Sequence, residues 1–223
     1  MTQLRMKPVA GGIKNAMRGF AKSGKAGLCL PRQKFITFKK KGGMYGIVNK
    51  AIQELVTIKF GEETWKKVKE KSGITHDYFL SNESYDDAVT YLLAQSASDV
   101  TGVSLKDVLI AFGEFWVLHT GKEKYGSMME SGGSSLREFL VNLPNFHSRV
   151  ILIYPKLTPP EFKISELDEK SLCLHYYSKR EGLQDFVFGL LQGLGKLYNT
   201  PVEIELLESR EKGSDHEIFK VKW

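Results

Sequence analysis

Two features of the sequence can do chemistry. The first is His147, in the apolar run Phe146-His147-Ser148-Arg149-Val150-Ile151. Imidazole is the commonest side-chain metal ligand and titrates near neutrality. The second is Tyr176-Tyr177-Ser178-Lys179-Arg180 at the end of an alternating segment. While the chain stays extended, alternation turns Tyr176, Ser178 and Arg180 to one side. Two hydroxyls and a guanidinium facing one way can hold an anion, and the guanidinium fork can bind a carboxylate bidentately. Taken singly, neither feature decides anything. A lone histidine near a core is as a rule a structural residue, and such a triplet is as a rule a solvated strand end.

Other chemistries are missing from the pattern. The remaining histidines, His76, His119, His175 and His216, show no i,i+4 pairing and no zinc-like spacing with Cys29 or Cys173. There is no glycine-rich phosphate loop between a strand and a helix and no Gly-x-Ser-x-Gly elbow, so an enzyme is not expected. Two widely separated cysteines fit a reduced, cytoplasmic protein better than a disulfide framework. No apolar run approaches the roughly 20 residues that span a bilayer.

The elements that must position these residues follow from periodicity. Tyr45, Val48, Ile52, Leu55 and Val56 recur at helical steps. Helices are also predicted over 61–71, 85–96 and 104–120, the last with Ser104 as N-cap three residues before Asp107. Leu136, Phe139, Leu140 and Leu143 mark a further helix. Pro144 is expected to end it and open a new one to Ile153, with His147 in its first turn. Pro155, Pro159 and Pro160 then stop the helix. Beyond them the period changes to strands over 162–165 and 172–176, a helix over 183–198, and a closing hairpin of 202–206 with 218–222. The fold class is α+β: a helical N-terminal half packed on a C-terminal antiparallel sheet with one inserted helix.

Charge divides the 223-residue chain at residue 43. Residues 1–43 hold 11 Lys/Arg and no acid, whereas 44–223 hold 21 basic against 26 acidic residues, so the net +6 is +11 in the extension against −5 in the rest. Its Gly/Lys-rich composition predicts a flexible segment, apart from an apolar patch at Phe35–Phe38. It reads first as a leader foreign to the domain, from a start placed too far upstream or a vector, then as a tether for nucleic acid or an anionic membrane surface, and last as a cleaved targeting peptide.

Met44-Tyr45-Gly46-Ile47-Val48-Asn49, Phe112-Gly113-Glu114-Phe115-Trp116, Ile153-Tyr154-Pro155 and the run Tyr176 to Asp185 together resemble the haem–nitric oxide/oxygen-binding domain. The closest likeness is to the branch found in the soluble guanylate cyclase β subunit, and it spans essentially 44–223. The resemblance implies haem b between the helical half and the sheet, with His147 as proximal iron ligand and Tyr176, Ser178 and Arg180 on the haem carboxylates. It also implies Pro160 pressing on the macrocycle, and Val48, Trp116, Phe186 and Leu190 on the distal side. Members that bind O2 carry a tyrosine where this chain has Phe186, so the resemblance implies NO and CO binding with little O2, the indole N–H of Trp116 being the one distal donor that would work against this.

In that reading, iron–histidine cleavage and relaxation of the haem are the signal. Placing His147 in a first turn predicts a weakened iron–histidine bond, because the positive end of a helix makes the imidazole a poorer donor. With no cyclase or kinase segment after the domain, the resemblance implies a stand-alone bacterial sensor acting in trans on a histidine kinase or a cyclic-diguanylate enzyme. A haem carrier or NO scavenger, and a haem-free anion-binding module with a basic tail, remain the alternatives.

Overall fold

The computed structural model describes residues 43–154 and 158–223. The readings made of the basic extension and of Pro155 lie outside the described residues, Gly43 excepted. A short strand β1 (Gly43–Tyr45) leads into α1 (Gly46–Phe60), α2 (Glu62–Ser72), β2 (Ser84–Asp86) and α3 (Asp87–Thr101). Next come α4 (Leu105–Phe115), a π-helical turn at Trp116–Gly121, α5 (Lys122–Glu130) and α6 (Leu136–Ile153). The C-terminal part is β3 (Glu161–Ser165), β4 (Ser171–Tyr177), α7 (Gln184–Leu197), β5 (Glu203–Glu208), a 3-10 turn at Arg210–Lys212 and β6 (Glu217–Lys222). The four long strands are antiparallel in the order β3-β4-β6-β5. This is the α+β arrangement expected from periodicity, with α7 inserted between β4 and β5.

Local signals explain most boundaries. The Ser104 hydroxyl accepts from the Asp107 N–H at 3.1 Å and starts α4. Asp86 caps α3 by accepting from Ala88 N–H at 2.9 Å, so that helix begins two residues later than expected. Tyr85, taken as helical from the sequence, instead pairs with Met44 between β2 and β1. Two further expectations are corrected. The helix over 104–120 does not stop there: it widens into the π turn and runs on through α5. Pro144 opens no new helix, because α6 passes straight through it from Leu136 to Ile153. Proline cannot donate to the Leu140 carbonyl, and the fully buried Leu140 and the Phe139 ring hold the helix against that loss.

Two apolar clusters make the interior. One joins α1, α2, α3 and α4 around Ile52, Leu93 and Phe112. The other joins α6, α7 and the sheet around Phe139, Leu174, Leu191 and Phe219. α4 and α7 make the closest contact between helices. A Cβ at Gly189 would lie 2.1 Å from the Ile110 carbonyl oxygen, and one at Gly113 would lie 2.1 Å from the Phe186 carbonyl oxygen. Backbone atoms cannot yield as a side chain can, so Gly189→Ala should lower stability by about 1–3 kcal/mol. A urea unfolding midpoint equal to that of the parent protein would show that the contact is slack.

Candidate functional site

A cavity of about 230 Å³, taken as the space open to the centre of a water molecule, lies between the helical layer and the sheet. Its wall is overwhelmingly apolar. Protein interiors are close-packed, and by the usual scaling with cavity volume the lost contacts around such a space cost roughly 5 kcal/mol. Side chains from both layers face one another across this gap, which makes it the candidate site for a guest. Of the residues singled out in the sequence, His147, Tyr176, Arg180, Pro160, Val48, Trp116, Phe186 and Leu190 all line it. Ser178 does not. It stands behind the wall, hydrogen-bonded to the Tyr176 side chain and accepting from the Arg180 backbone N–H at 3.0 Å.

One side of the wall is built by α6 and the β3–β4 hairpin. Register pairs Phe162 with Tyr176, their rings 5.4 Å apart, and His147 packs on Phe162 at 4.7 Å. Nδ1 of His147 lies 3.1 Å from the Leu143 carbonyl oxygen. A carbonyl only accepts, so Nδ1 carries the hydrogen and Nε2 keeps its lone pair. Burial pushes the imidazole down to about 4, which leaves it neutral near pH 7. The expectation of a first-turn histidine, and of a weak donor for that reason, is thereby overturned. His147 sits well inside a continuous α6, away from any helix end, and the Leu143 carbonyl is the kind of partner that strengthens Nε2 as a ligand.

The opposite side is aromatic and aliphatic. Phe112 packs against Phe186 at 4.8 Å and edge-on to Trp116 at 6.4 Å. Trp116 opens the π turn, a widened turn of the kind that recurs at functional sites.

Arg180 forms the polar end. Its Nε donates to Asp87 Oδ2 at 3.0 Å, Nη1 to the Thr158 carbonyl at 2.8 Å and Nη2 to the Gly43 carbonyl at 3.3 Å. That leaves donors over, since guanidinium has five N–H groups. Burial raises the Asp87 carboxyl, with Arg180 opposing the shift, and Asp87 Oδ1 is buried with no partner. The carboxylate is therefore the under-satisfied member of the pair, and the spare guanidinium N–H groups are free for a further acceptor.

Sequence reading missed Asp87, because Asp86-Asp87 looks like an ordinary helix start and nothing in it points to a residue 93 positions away. It also missed Tyr125 and Tyr154, which line the cavity and share a hydrogen bond at 3.0 Å between their hydroxyls.

With this geometry in hand, comparison with known proteins decides the family. The profile described as "Haem-NO-binding" matches residues 45–206. The chain belongs to the haem-NO-binding family. Among curated proteins, it is 30% identical over 180 residues to soluble guanylate cyclase gcy-31 of Caenorhabditis elegans, covering 80% of this chain and 26% of that protein. It is 27% identical over 168 residues to soluble guanylate cyclase 89Db of Drosophila melanogaster, covering 75% and 25%. The chain thus spans about a quarter of these relatives. Among solved structures, the unliganded Fe(II) H-NOX protein from K. algicida has a TM-score of 0.72 at 27% identity, covering 80% of this chain and 96% of that one. The Fe(II)NO H-NOX protein from S. oneidensis has 0.73 at 20% identity, covering 80% and 98%, a likeness of fold. No helix among the described residues is long and apolar enough to cross a membrane.

Burial raises the phenols of Tyr91, Tyr125 and Tyr176 above the ordinary tyrosine range. In the unfolded chain they ionise near 10. The folded state therefore holds more of these protons than the unfolded one above that pH, so the phenols leave stability unchanged up to about pH 10 and should lower it beyond. In a spectrophotometric titration these phenols should ionise only as the fold is lost. Full tyrosine ionisation with the fold intact would contradict this.

Proposed function

We propose that this chain is a haem-based nitric oxide sensor, with Nε2 of His147 on the iron and the haem carboxylates at Tyr176, Ser178 and Arg180. One observation carries the reading. One apolar cavity brings together a neutral imidazole whose Nδ1 is already engaged and a guanidinium with N–H groups to spare beside a buried phenol. The residues fit the group, because a flat apolar ring with two carboxylates needs an apolar slot, an axial nitrogen donor and cationic or hydroxyl donors at one edge. With only Cys29 and Cys173 and no Cys-x-x-Cys-His run, non-covalently held haem b is favoured. Haem, when bound, would supply a ferrous iron able to take up NO or CO, and His147 would hold it.

The residues around it have distinct tasks. His147 is presented neutral, so no proton need leave before it ligates. Arg180 exchanges part of its bonding from Asp87 to a haem carboxylate, which links cofactor loading to α3 and β1 through Asp87 and Gly43. Pro160 on the wall takes the family role of bearing on the macrocycle. Val48, Phe186 and Leu190 offer no hydrogen-bond donor to a bound gas. O2 gains more from such a donor than NO or CO does, so NO and CO are favoured. α6 carries His147 and also the exposed Leu152 and Ile153, so a shift of the His147 turn reaches the surface within one element. The receiver is proposed to be a separate partner, a histidine kinase or a cyclic-diguanylate enzyme.

Ferrous spectra of the purified protein with and without NO test this directly. His147→Gly should lose the Soret band and regain it with added imidazole; an unchanged band without imidazole would remove His147 from the site. Loss of the iron–histidine stretch on NO addition is expected, and its persistence would rule out ligand release as the signal. Phe186→Tyr should give a protein whose ferrous spectrum changes stably in air, whereas the parent should not. A parent protein that already does so would refute selection against O2.

A further inference from the structure

β4 makes its last pairing with β6 at Tyr176↔Glu217. Tyr177 keeps one more pairing, with Glu161 of β3; the residues beyond it, Ser178 to Arg180, have no strand beside them. Backbone carbonyls there need other donors, and one side chain supplies them. Arg210 Nη1 donates to the Ser178 carbonyl and Nη2 to the Arg180 carbonyl, both at 2.7 Å. Its Nε donates to both carboxylate oxygens of Glu217, at 2.9 and 3.1 Å. The side chains of Arg210 and Glu217 are 19% and 3% exposed, so the pair is screened from solvent. A charge-assisted fork in such a place is strong and directional.

We infer that Arg210, anchored by Glu217, is a positioning residue for the carboxylate-binding edge of the cavity. By fixing the carbonyls on either side of Lys179, it keeps Tyr176 and Arg180 on the cavity wall after the sheet has ended. The inference rests on the reading of that edge as the seat of the haem carboxylates. Neighbouring ties support it: Tyr91 Oη donates to the Glu181 carbonyl at 2.8 Å, and Ser209 Oγ donates to Gln184 Oε1 at 2.7 Å. Those ties hold the loop after the triplet, whereas Arg210 holds the triplet's own backbone. Lysine at 210 would keep the charge but could not span Glu217 and two carbonyls at once.

The test is the rate at which haem leaves the ferric protein for excess apomyoglobin, measured with haem and with its dimethyl ester, which has no carboxylates. Arg210→Lys should release haem about tenfold faster than the parent, the scale expected when charge-assisted hydrogen bonds weaken. It should release the diester at the parent's rate. Glu217→Gln, which keeps shape and leaves the carbonyl bonds in place, should act in the same direction by less, and it serves alone if Arg210→Lys fails to fold. Equal acceleration for haem and diester would make Arg210 merely structural and overturn the inference, as would no acceleration for either. Arg180→Leu, measured alongside, separates the two levels. If it too fails to distinguish haem from diester, the carboxylate reading itself falls. If it distinguishes them and Arg210→Lys does not, only the positioning role falls.

Discussion

The backbones of α4 and α7 touch at Gly113 and Gly189, where neither helix has room for a Cβ. The cavity depends on that contact. It brings Phe112 and Phe186 together as one wall and holds the π turn with Trp116 beside them. With the wall set, the β3–β4 hairpin and α6 supply the facing side. A rigid backbone contact suits this task better than interlocking side chains do. Side chains repack to fill a gap, whereas touching backbones cannot close it without moving two helices.

The polar end follows a different logic. Arg180 gathers Asp87 from α3, Gly43 from β1 and Thr158 from beyond α6, and Arg210 holds its backbone from behind. Buried charges are tolerable only when paired and hydrogen-bonded. Here Asp87 Oδ1 is buried without a donor, while Arg180 engages three of its five N–H groups in the bonds to Asp87, Thr158 and Gly43. Apolar walls give the site its shape, and the spare guanidinium N–H groups give its polar end a preference for an acceptor. His147 completes the set as a neutral donor whose tautomer is decided by the Leu143 carbonyl.

Much of this was legible in advance because it is local. Helical and alternating periods identified the α+β order, and Ser104 with Asp107 marked the start of α4. His147 and the Tyr176, Ser178, Arg180 triplet were visible as residue types. The four runs around them carried the family resemblance, which the profile match to residues 45–206 upholds. Where the local rule failed, a tertiary force had overridden it. Pro144 reads as a break, but burial of Phe139, Leu140 and Leu143 keeps α6 whole across it.

By itself, then, the sequence determined which elements form, which faces they bury, which family the chain belongs to and which side chains could ligate or bind an anion. Only the tertiary structure decided how those groups are presented. It placed His147 inside a helix and not at its start, gave Arg180 a partner 93 residues away in Asp87, set Ser178 behind the cavity wall and brought Arg210 onto the triplet's carbonyls. Periodicity follows from the backbone's own geometry and is written into neighbouring residues. Hydrogen-bond partners across the fold depend on distances that exist only after packing, and no spacing along the chain encodes them.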